Sequence, residues 1–335
     1  MEATKPLKAI MVPSVGDDPA LSSETKHFLT ALNNSGGEPI ESMAPIAARK
    51  VLVGAQSSVE VDTSGITETE NIVIADGYSV KLNIVKPTGT VGVLPAFIFI
   101  HGGGWVLGDY PTHRRMVRDL VVLSGTVGIF VNYTPAPDKQ YPTQTNEIYA
   151  VTKWIAENGS QFGIDGKNIA LVGNSAGGNM ATVTAIKALE HNGPEIKLQI
   201  LFWPTVNSDF ETSSYQRYGK ERFLTTPLIK WMYDNYIPGH ETRKEIYAAP
   251  LLAPIEKLRG LPPTLIQVGE ADIFYDECLA YGRKLDEAGV NVTTMVYAGA
   301  IHDFGLLNPL AHTAQAKSLF LHAAAELKAY LKPVI

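Results

Sequence analysis

The stretch ALVGNSAGGNMA (170–181) decides the fold, because it sets Ser175 among glycines where a strand pattern gives way to a helix pattern. The letters NIALVG (168–173) are apolar on both faces, which is typical of a buried strand, and an amphipathic helix pattern follows the serine. Within the stretch, GNSAG satisfies G-x-S-x-G, in which a strained strand-to-helix turn lifts a serine out of a sheet. The helix start behind the turn offers N–H groups and a positive dipole end to a developing oxyanion. We therefore predict that Ser175 is a nucleophile; the alternative is a plain glycine-serine turn.

Five short apolar runs predict a mostly parallel central sheet that helices flank on both faces. Amphipathic helix patterns separate the runs, as in an α/β fold. Residues 70–85 differ, because they alternate between polar and apolar around Asp76-Gly77, which is a strong hairpin signal. The hairpin predicts an antiparallel edge beside the parallel strands. The apolar runs are PAFIFIH (95–101), VGIFVNY (127–133), NIALVG (168–173), LQILFWP (198–204) and PTLIQVG (263–269).

Residues 1–60 and 205–250 lie outside this alternation. The second segment is rich in Tyr, Phe and Trp and is too long for an ordinary crossover loop, so we interpret it as a functional insertion. Both segments carry apolar side chains that need burial, and the nearest apolar surface is the carboxyl edge of the sheet, where Ser175 emerges. We expect residues 1–60 to begin a helical cap and 205–250 to complete it, over a core of residues 61–204 and 251–335. The side chains expected at the buried surface of the cap are Phe28, Leu32, Phe223, Leu228, Trp231 and Tyr233.

The run HGGGW (101–105) directly follows a predicted strand. Three consecutive glycines are entropically costly, and a close approach of the backbone to a ligand would explain them. The run does not fit a phosphate-binding G-x-G-x-x-G loop, because Leu107 stands at the position of the third glycine. It fits an oxyanion-hole loop whose N–H groups join that of Ala176, and a plain glycine turn is the alternative.

An acid and a histidine are expected after the serine, each following a strand. Asp272 comes just past a predicted strand, in the segment GEADIFYDE. Asp276 suits the first turn of the helix that follows, and Glu270 is a weaker rival. Among the eight histidines, only His302 lies in a loop between the last strand and the last helix. The chain order Ser175, Asp272, His302 therefore predicts a Ser-His-Asp triad.

Composition excludes several classes of partner and cofactor. With 335 residues, 45% of them hydrophobic, the chain can bury the core of a large α/β domain. The net charge is −6 and the basic residues are scattered, so nucleic acid is not an expected partner. A single cysteine, Cys278, excludes an internal disulfide and a thiolate metal cluster. Because H-E-x-x-H is also missing from the sequence, we predict no metal and no cofactor.

The sequence also bears on location. No apolar run approaches the roughly 18 residues of a membrane span. The start, MEATKPLKAIMVPSVGDDP (1–19), does not read as a signal peptide, so we predict a cytoplasmic protein. A signal peptide already removed would leave the same sequence.

Together these motifs resemble the hormone-sensitive-lipase-like group of α/β-hydrolases, esterases with an HGGG loop. The likeness covers nearly the whole chain: HGGGW and GNSAGGN match the two signatures of the group, ADIFYDE matches its acid segment, and IHDF (301–304) fills its histidine position. VNYTPAPDKQYP (131–142) is similar to its Tyr-Arg-Leu-Ala-Pro segment, and RFLTTPLIKWMYDNYI (222–237) to its cap. The resemblance implies an α/β-hydrolase fold with a helical cap. It implies a triad of Ser175, Asp272 and His302 and an oxyanion hole formed by Gly103, Gly104 and Ala176.

Three positions depart from the pattern of that group. Asn174 stands where the group most often has an acidic residue, Ile273 replaces the usual proline, and Thr134-Pro135 replaces Arg-Leu. None of these changes removes a catalytic atom, but they blur the subgroup and its substrate.

We therefore expect a serine carboxylesterase that hydrolyses short- to medium-chain acyl esters through an acyl-enzyme. The expected partner is a small-molecule ester, and the sequence leaves a homodimer open. Two other classes of protein stay open: an amidase or peptidase on the same scaffold, and a non-catalytic protein that binds a small molecule on a hydrolase fold. Faster turnover of anilides than of matched esters would indicate the first, and inertness to a fluorophosphonate would indicate the second.

Overall fold

The computed structural model of the protein describes residues 12–332, and within them eight strands form a single sheet. The strands are β1 (Ile66–Ala75), β2 (Tyr78–Pro87), β3 (Leu94–Ile100), β4 (Val127–Asn132), β5 (Ile164–Asn174), β6 (Ile196–Phe202), β7 (Thr264–Ala271) and β8 (Val292–Ile301). Their order across the sheet is β1-β2-β4-β3-β5-β6-β7-β8. β2 pairs antiparallel with β1 and β4, and all the other pairs are parallel. The predicted mostly parallel sheet is thus confirmed.

The hairpin at Asp76-Gly77 forms the antiparallel edge, as the sequence predicts. Ala75 pairs with Tyr78, so only two residues make the turn. Both have positive φ, 49° at Asp76 and 84° at Gly77, which is the conformation that suits a two-residue hairpin turn. The middle of the sheet is buried on both faces. Every residue from 96 to 100 of β3 has an exposed fraction of 0%, which explains the uninterrupted apolar run of this strand.

Helices flank this sheet, as expected for crossover connections. α3 packs against α10, and α4 packs against α5. In residues 12–332 the α-helices are α1 (Ser23–Asn33), α2 (Pro45–Ser57), α3 (Tyr110–Ser124), α4 (Thr143–Asn158), α5 (Ala176–Glu190), α6 (Ser213–Tyr218), α7 (Thr226–Tyr236), α8 (Ile255–Leu258), α9 (Tyr275–Glu287) and α10 (Ala314–Tyr330). None of them combines the length and the apolar character that a membrane crossing requires.

The two segments outside the alternation are helical and touch each other. Residues 12–60 contain α1 and α2, and residues 205–250 contain α6 and α7. The first segment is fixed to the end of β8, because Ser22 N–H and Thr25 Oγ1 both donate to the carbonyl of Gly299, at 3.1 and 2.8 Å. The division of the chain into core and cap stays a prediction. Residues 1–11, on which the signal-peptide prediction partly rests, lie outside the described residues.

Candidate active site

Ser175 lies on a sharp turn between β5, which ends at Asn174, and α5, which begins at Ala176. Its φ of 54° and ψ of −122° fall outside the regions that residues with a Cβ normally adopt, so the backbone is strained there. The turn also demands a glycine, because a Cβ on Gly177 would lie 1.9 Å from the carbonyl oxygen of Ile100. The sequence prediction of a serine on a strained strand-to-helix turn matches this geometry.

The carboxyl ends of β7 and β8 bring Asp272 and His302 to this serine. His302 Nε2 is 3.0 Å from Ser175 Oγ, and His302 Nδ1 is 3.0 Å from each carboxylate oxygen of Asp272. The three residues are almost completely enclosed, with exposed fractions of 4% for Ser175, 0% for Asp272 and 2% for His302. A hydroxyl, an imidazole and a carboxylate in this order can move a proton from the serine to the histidine.

The rival acids contact other groups. Glu270 accepts the N–H of Gly299 at 3.2 Å, and Asp276 accepts the N–H of Ser214 at 2.7 Å. Asp276 does lie in the first turn of α9, as predicted, but its carboxylate caps α6 instead. Of these three acids, Asp272 therefore is the one that bonds His302 Nδ1.

His101, the histidine of the glycine loop, has no hydrogen bond to Ser175 among residues 12–332. The imidazole of His101 stacks on the ring of Tyr133 with centroids 4.1 Å apart, and its Nδ1 contacts the carbonyl of Gly102. Burial lowers the pKa of His101 to about 4, so this imidazole stays neutral at ordinary pH. Its contacts support the loop that starts at the end of β3.

The glycine loop carries unpaired N–H groups beside α7. Within residues 12–332, the N–H groups of Gly103, Gly104 and Ala176 donate no hydrogen bond to another protein group. Gly104 has a φ of 59°, and a Cβ there would lie 2.0 Å from Met232 Sδ. Trp105 stacks on Tyr236 with ring centroids 4.4 Å apart. Helix α7 thus lies directly against the loop that is predicted to bind the oxyanion.

Asp303 is a site residue that the sequence analysis missed. Its Oδ1 accepts hydrogen bonds from Trp203 Nε1 at 2.7 Å and from Asn174 Nδ2 at 3.3 Å, and its Oδ2 is 3.9 Å from His302 Nε2. Burial is the largest cause that raises the pKa of Asp303 above its usual range. Its position directly after His302 was the signal that could have found it.

Asp303 also explains the asparagine at position 174. The Asn174 side chain accepts the N–H of Gly102 through Oδ1 at 2.9 Å while it donates through Nδ2 to Asp303. An amide can do both, whereas an ionised carboxylate can only accept. Asn174 therefore joins the glycine loop to Asp303, the residue after His302.

The electrostatics of His302 reflect two neighbouring carboxylates. Burial acts to lower the pKa of the imidazole, but the charges of Asp272 and Asp303 outweigh it, so the pKa of His302 is raised above its usual value. Both carboxylates stabilise the protonated ring.

Most of the apolar side chains predicted for the cap surface are enclosed. Leu228 and Tyr233 are buried, and Phe28, Phe223 and Trp231 are partly buried against the core. The prediction for Leu32 is wrong, because its exposed fraction is 39%. Phe28 and Phe223 contact each other across the two segments, with ring centroids 6.3 Å apart.

Comparison with known proteins agrees with the α/β fold described above. A family model described as the α/β-hydrolase fold matches residues 97–306. The crystal structure of a thermostable esterase from Pseudomonas putida ECU1011 is 50% identical, has a TM-score of 0.93, and covers 95% of this chain and 99% of its own. Carboxylesterase NlhH of Mycobacterium tuberculosis is 32% identical over 75% of this chain and 80% of its own length. Ethyl acetate hydrolase of Pseudomonas putida is 30% identical over 68% of this chain and 72% of its own.

Proposed function

The chain belongs to the hormone-sensitive-lipase-like group of the α/β-hydrolase family and is a carboxylic ester hydrolase, and we propose that it cleaves short- to medium-chain acyl esters through a Ser175–His302–Asp272 triad. The observation that carries the proposal is the pair of contacts made by His302, whose Nε2 lies 3.0 Å from Ser175 Oγ while Nδ1 lies 3.0 Å from Asp272. This arrangement suits a serine that attacks an ester carbonyl.

In the first half of the reaction, Ser175 Oγ attacks the carbonyl carbon while His302 Nε2 accepts the hydroxyl proton. Asp272 holds the Nδ1 proton, so that Nε2 is the free acceptor, and it stabilises the imidazolium that forms. The imidazolium then protonates the leaving alkoxide, and an acyl-enzyme remains on Ser175. In the second half, His302 takes a proton from the water that attacks the acyl carbonyl carbon, and it then gives this proton to Ser175 Oγ as the bond from that oxygen to the acyl group breaks and the acid is released.

We assign stabilisation of the tetrahedral intermediate to the N–H groups of Gly103, Gly104 and Ala176. In the part of the chain that the structure describes, these N–H groups donate no hydrogen bond to another protein group. Ala176 begins α5, so the positive end of that helix dipole favours a negative oxygen there. One such donor typically contributes a factor of about 10² to 10³ in kcat.

A restricted acyl length follows from the enclosure of the serine. Only 4% of Ser175 is exposed, and Met232 of α7 packs against Gly104 of the glycine loop. We propose that residues 1–60 and 205–250 act as a cap that buries the acyl or alcohol part of the ester. Each methylene that fits contributes about 0.8 kcal/mol, and one that does not fit costs about 1–3 kcal/mol through overpacking.

The test is kcat/KM for p-nitrophenyl esters from acetate to palmitate, with the matched nitroanilides as controls. We expect a rise over the shortest chains, a maximum near about C4 to C8 and a fall for longer chains. The anilides should be slower than the esters at every length. A flat profile would contradict the cap, and faster anilides would contradict an esterase. Inertness of the wild type to a fluorophosphonate would contradict the triad. The cytoplasmic location stays a prediction from the sequence, and the sequence leaves open whether the protein forms a homodimer.

A further inference from the structure

The segment 272–277 contacts the triad at its beginning. Asp272 bonds His302, and the Phe274 N–H donates to Asp272 Oδ1 at 2.8 Å. The Phe274 ring meets the His302 imidazole edge to face, with centroids 4.9 Å apart. Any movement of this segment therefore changes how the imidazole is held.

At its end, the same segment holds the start of the 205–250 insertion. Glu277 is only 2% exposed, and its Oε1 accepts the N–H groups of Val206 at 2.7 Å and Asn207 at 3.3 Å. A buried carboxyl group is costly unless it is hydrogen-bonded. Both of these bonds go to the first residues of the insertion.

Ser214, at the start of α6, makes a second attachment to this segment. Its N–H donates to Asp276 Oδ2 at 2.7 Å, and its Oγ donates to the carbonyl of Ile273 at 2.7 Å. The N–H of Asp276 donates back to Ser214 Oγ at 3.3 Å. Two different points of the insertion are thus fixed to the segment that carries the triad acid.

These attachments lead on to the glycine loop. The Tyr233 hydroxyl of α7 donates to the carbonyl of Asn207 at 2.8 Å, and its ring lies edge-on to Trp105, with centroids 4.9 Å apart. Met232, the neighbour of Tyr233, rests on Gly104. A continuous path of contacts therefore runs from Glu277 through Asn207 and α7 to the loop beside Ser175.

We propose that Glu277 and Ser214 are positioning residues that set the distance of α7 from the glycine loop and thereby the acyl selectivity of the enzyme. This inference rests on the proposed esterase function and on the cap. Neither residue touches the triad side chains of Ser175 or His302, so the attachments act on pocket shape and on KM more than on proton transfer.

The acceptor oxygen of Glu277, rather than its charge, makes the attachment. Its second oxygen, Oε2, has no hydrogen-bond partner among residues 12–332. Burial raises the pKa of this carboxyl well above its usual range, which also disfavours the charged form. A glutamine keeps the acceptor oxygen and the shape, so Glu277→Gln should preserve the attachment, whereas Glu277→Leu should remove it.

The experiment compares Glu277→Leu and Ser214→Ala with Glu277→Gln and with a control, Gln216→Ala. Gln216 is an exposed α6 residue, and among residues 12–332 its side chain bonds only the carbonyl of Glu211, within the insertion. The readout is the ratio of kcat/KM for p-nitrophenyl hexanoate to that for the acetate, with active sites counted by fluorophosphonate. The wild type is measured first, so failure of the esterase proposal would show there as absent turnover of both esters.

We expect the ratio to fall about fivefold or more in Glu277→Leu and Ser214→Ala, mainly through a higher KM for the hexanoate, and to stay near the wild-type value in the other two variants. A merely structural role would lower the number of active sites or the melting temperature and leave the ratio unchanged. An unchanged ratio in Ser214→Ala, the mildest of the disruptive changes, would overturn the proposal even if Glu277→Leu does not fold. A Glu277→Gln variant as impaired as Glu277→Leu would overturn it as well.

Discussion

The imidazole of His302 lies between two carboxylates, with Asp272 at Nδ1 and Asp303 3.9 Å from Nε2. As the general base, His302 must be neutral to accept the proton of Ser175, so kcat/KM should fall as the pH drops through its pKa. Because both carboxylates favour the protonated ring, this acid limb should lie above the position that an ordinary histidine would give.

Asp303→Asn removes one of these charges and keeps the size of the side chain. The pKa of His302 should then be lower, so the acid limb of the kcat/KM profile should move to lower pH. Asp276→Asn is the control, since Asp276 bonds Ser214 rather than His302 and should leave the limb in place. An unmoved or upward-shifted limb in Asp303→Asn would exclude an influence of Asp303 on the base.

The two aspartates of the acid segment should differ strongly in their effect on rate. Asp272→Asn should lower kcat by about 10⁴-fold, because the histidine would lose the tautomer that leaves Nε2 free. Asp276→Asn should cost far less in rate and some stability, since it weakens the bond to the N–H of Ser214. Steady-state kinetics of both variants decide between them, and the reverse ranking would move the triad acid to Asp276.

For single residues, the sequence predicted the three candidate triad side chains but not the hydrogen bonds of the side chains around them. Ser175, Asp272 and His302 follow from the order of strand ends along the chain. Asn174 could be recognised only as a departure, since Asp303, the residue that explains it, is 129 positions away. Hydrogen bonds between distant side chains leave no periodic signal in a sequence.

Among the elements, the strands were the most predictable because burial on both faces enforces an apolar run. Each of the five predicted runs overlaps one strand from β3 to β7. The helix that a capping side chain serves was less predictable. Asp276 lies in the first turn of α9, but its carboxylate accepts the N–H of Ser214 in the first turn of α6. Capping across two elements depends on tertiary packing, which local patterns do not encode.

A buried ion pair joins the two segments of the predicted cap. Arg222 Nη2 lies 2.8 Å from Asp18 Oδ2, and both side chains are buried. Asp18→Ala would leave the guanidinium buried without its partner, so the free energy of unfolding should fall by about 3–5 kcal/mol.

Chemical denaturation of Asp18→Ala and of a control, Glu241→Gln, measures this difference. Glu241 pairs with Lys244 at the surface, where both side chains are largely exposed, so its loss should cost less than about 1 kcal/mol. Equal effects of the two substitutions would show that the Asp18–Arg222 pair does not join the segments tightly.

On the scale of the whole molecule, the two segments outside the α/β alternation meet above the carboxyl edge of the sheet. The first segment is fixed to Gly299 at the end of β8, and the second lies on the glycine loop through Met232. The sequence predicted that both segments need an apolar surface, but it could not tell which side chains meet, as the exposed Leu32 illustrates. Which residues face each other depends on how the helices settle on the finished sheet.

The esterase proposal requires that one hydroxyl, on Ser175, carries the chemistry of the whole molecule. The most direct test is the kcat of Ser175→Ala on p-nitrophenyl butyrate, together with its melting temperature and fluorophosphonate labelling. We predict a fall of roughly a million-fold, the scale seen for triad nucleophiles, with an unchanged fold and no phosphonyl adduct. A folded Ser175→Ala variant that keeps most of its activity would contradict the triad.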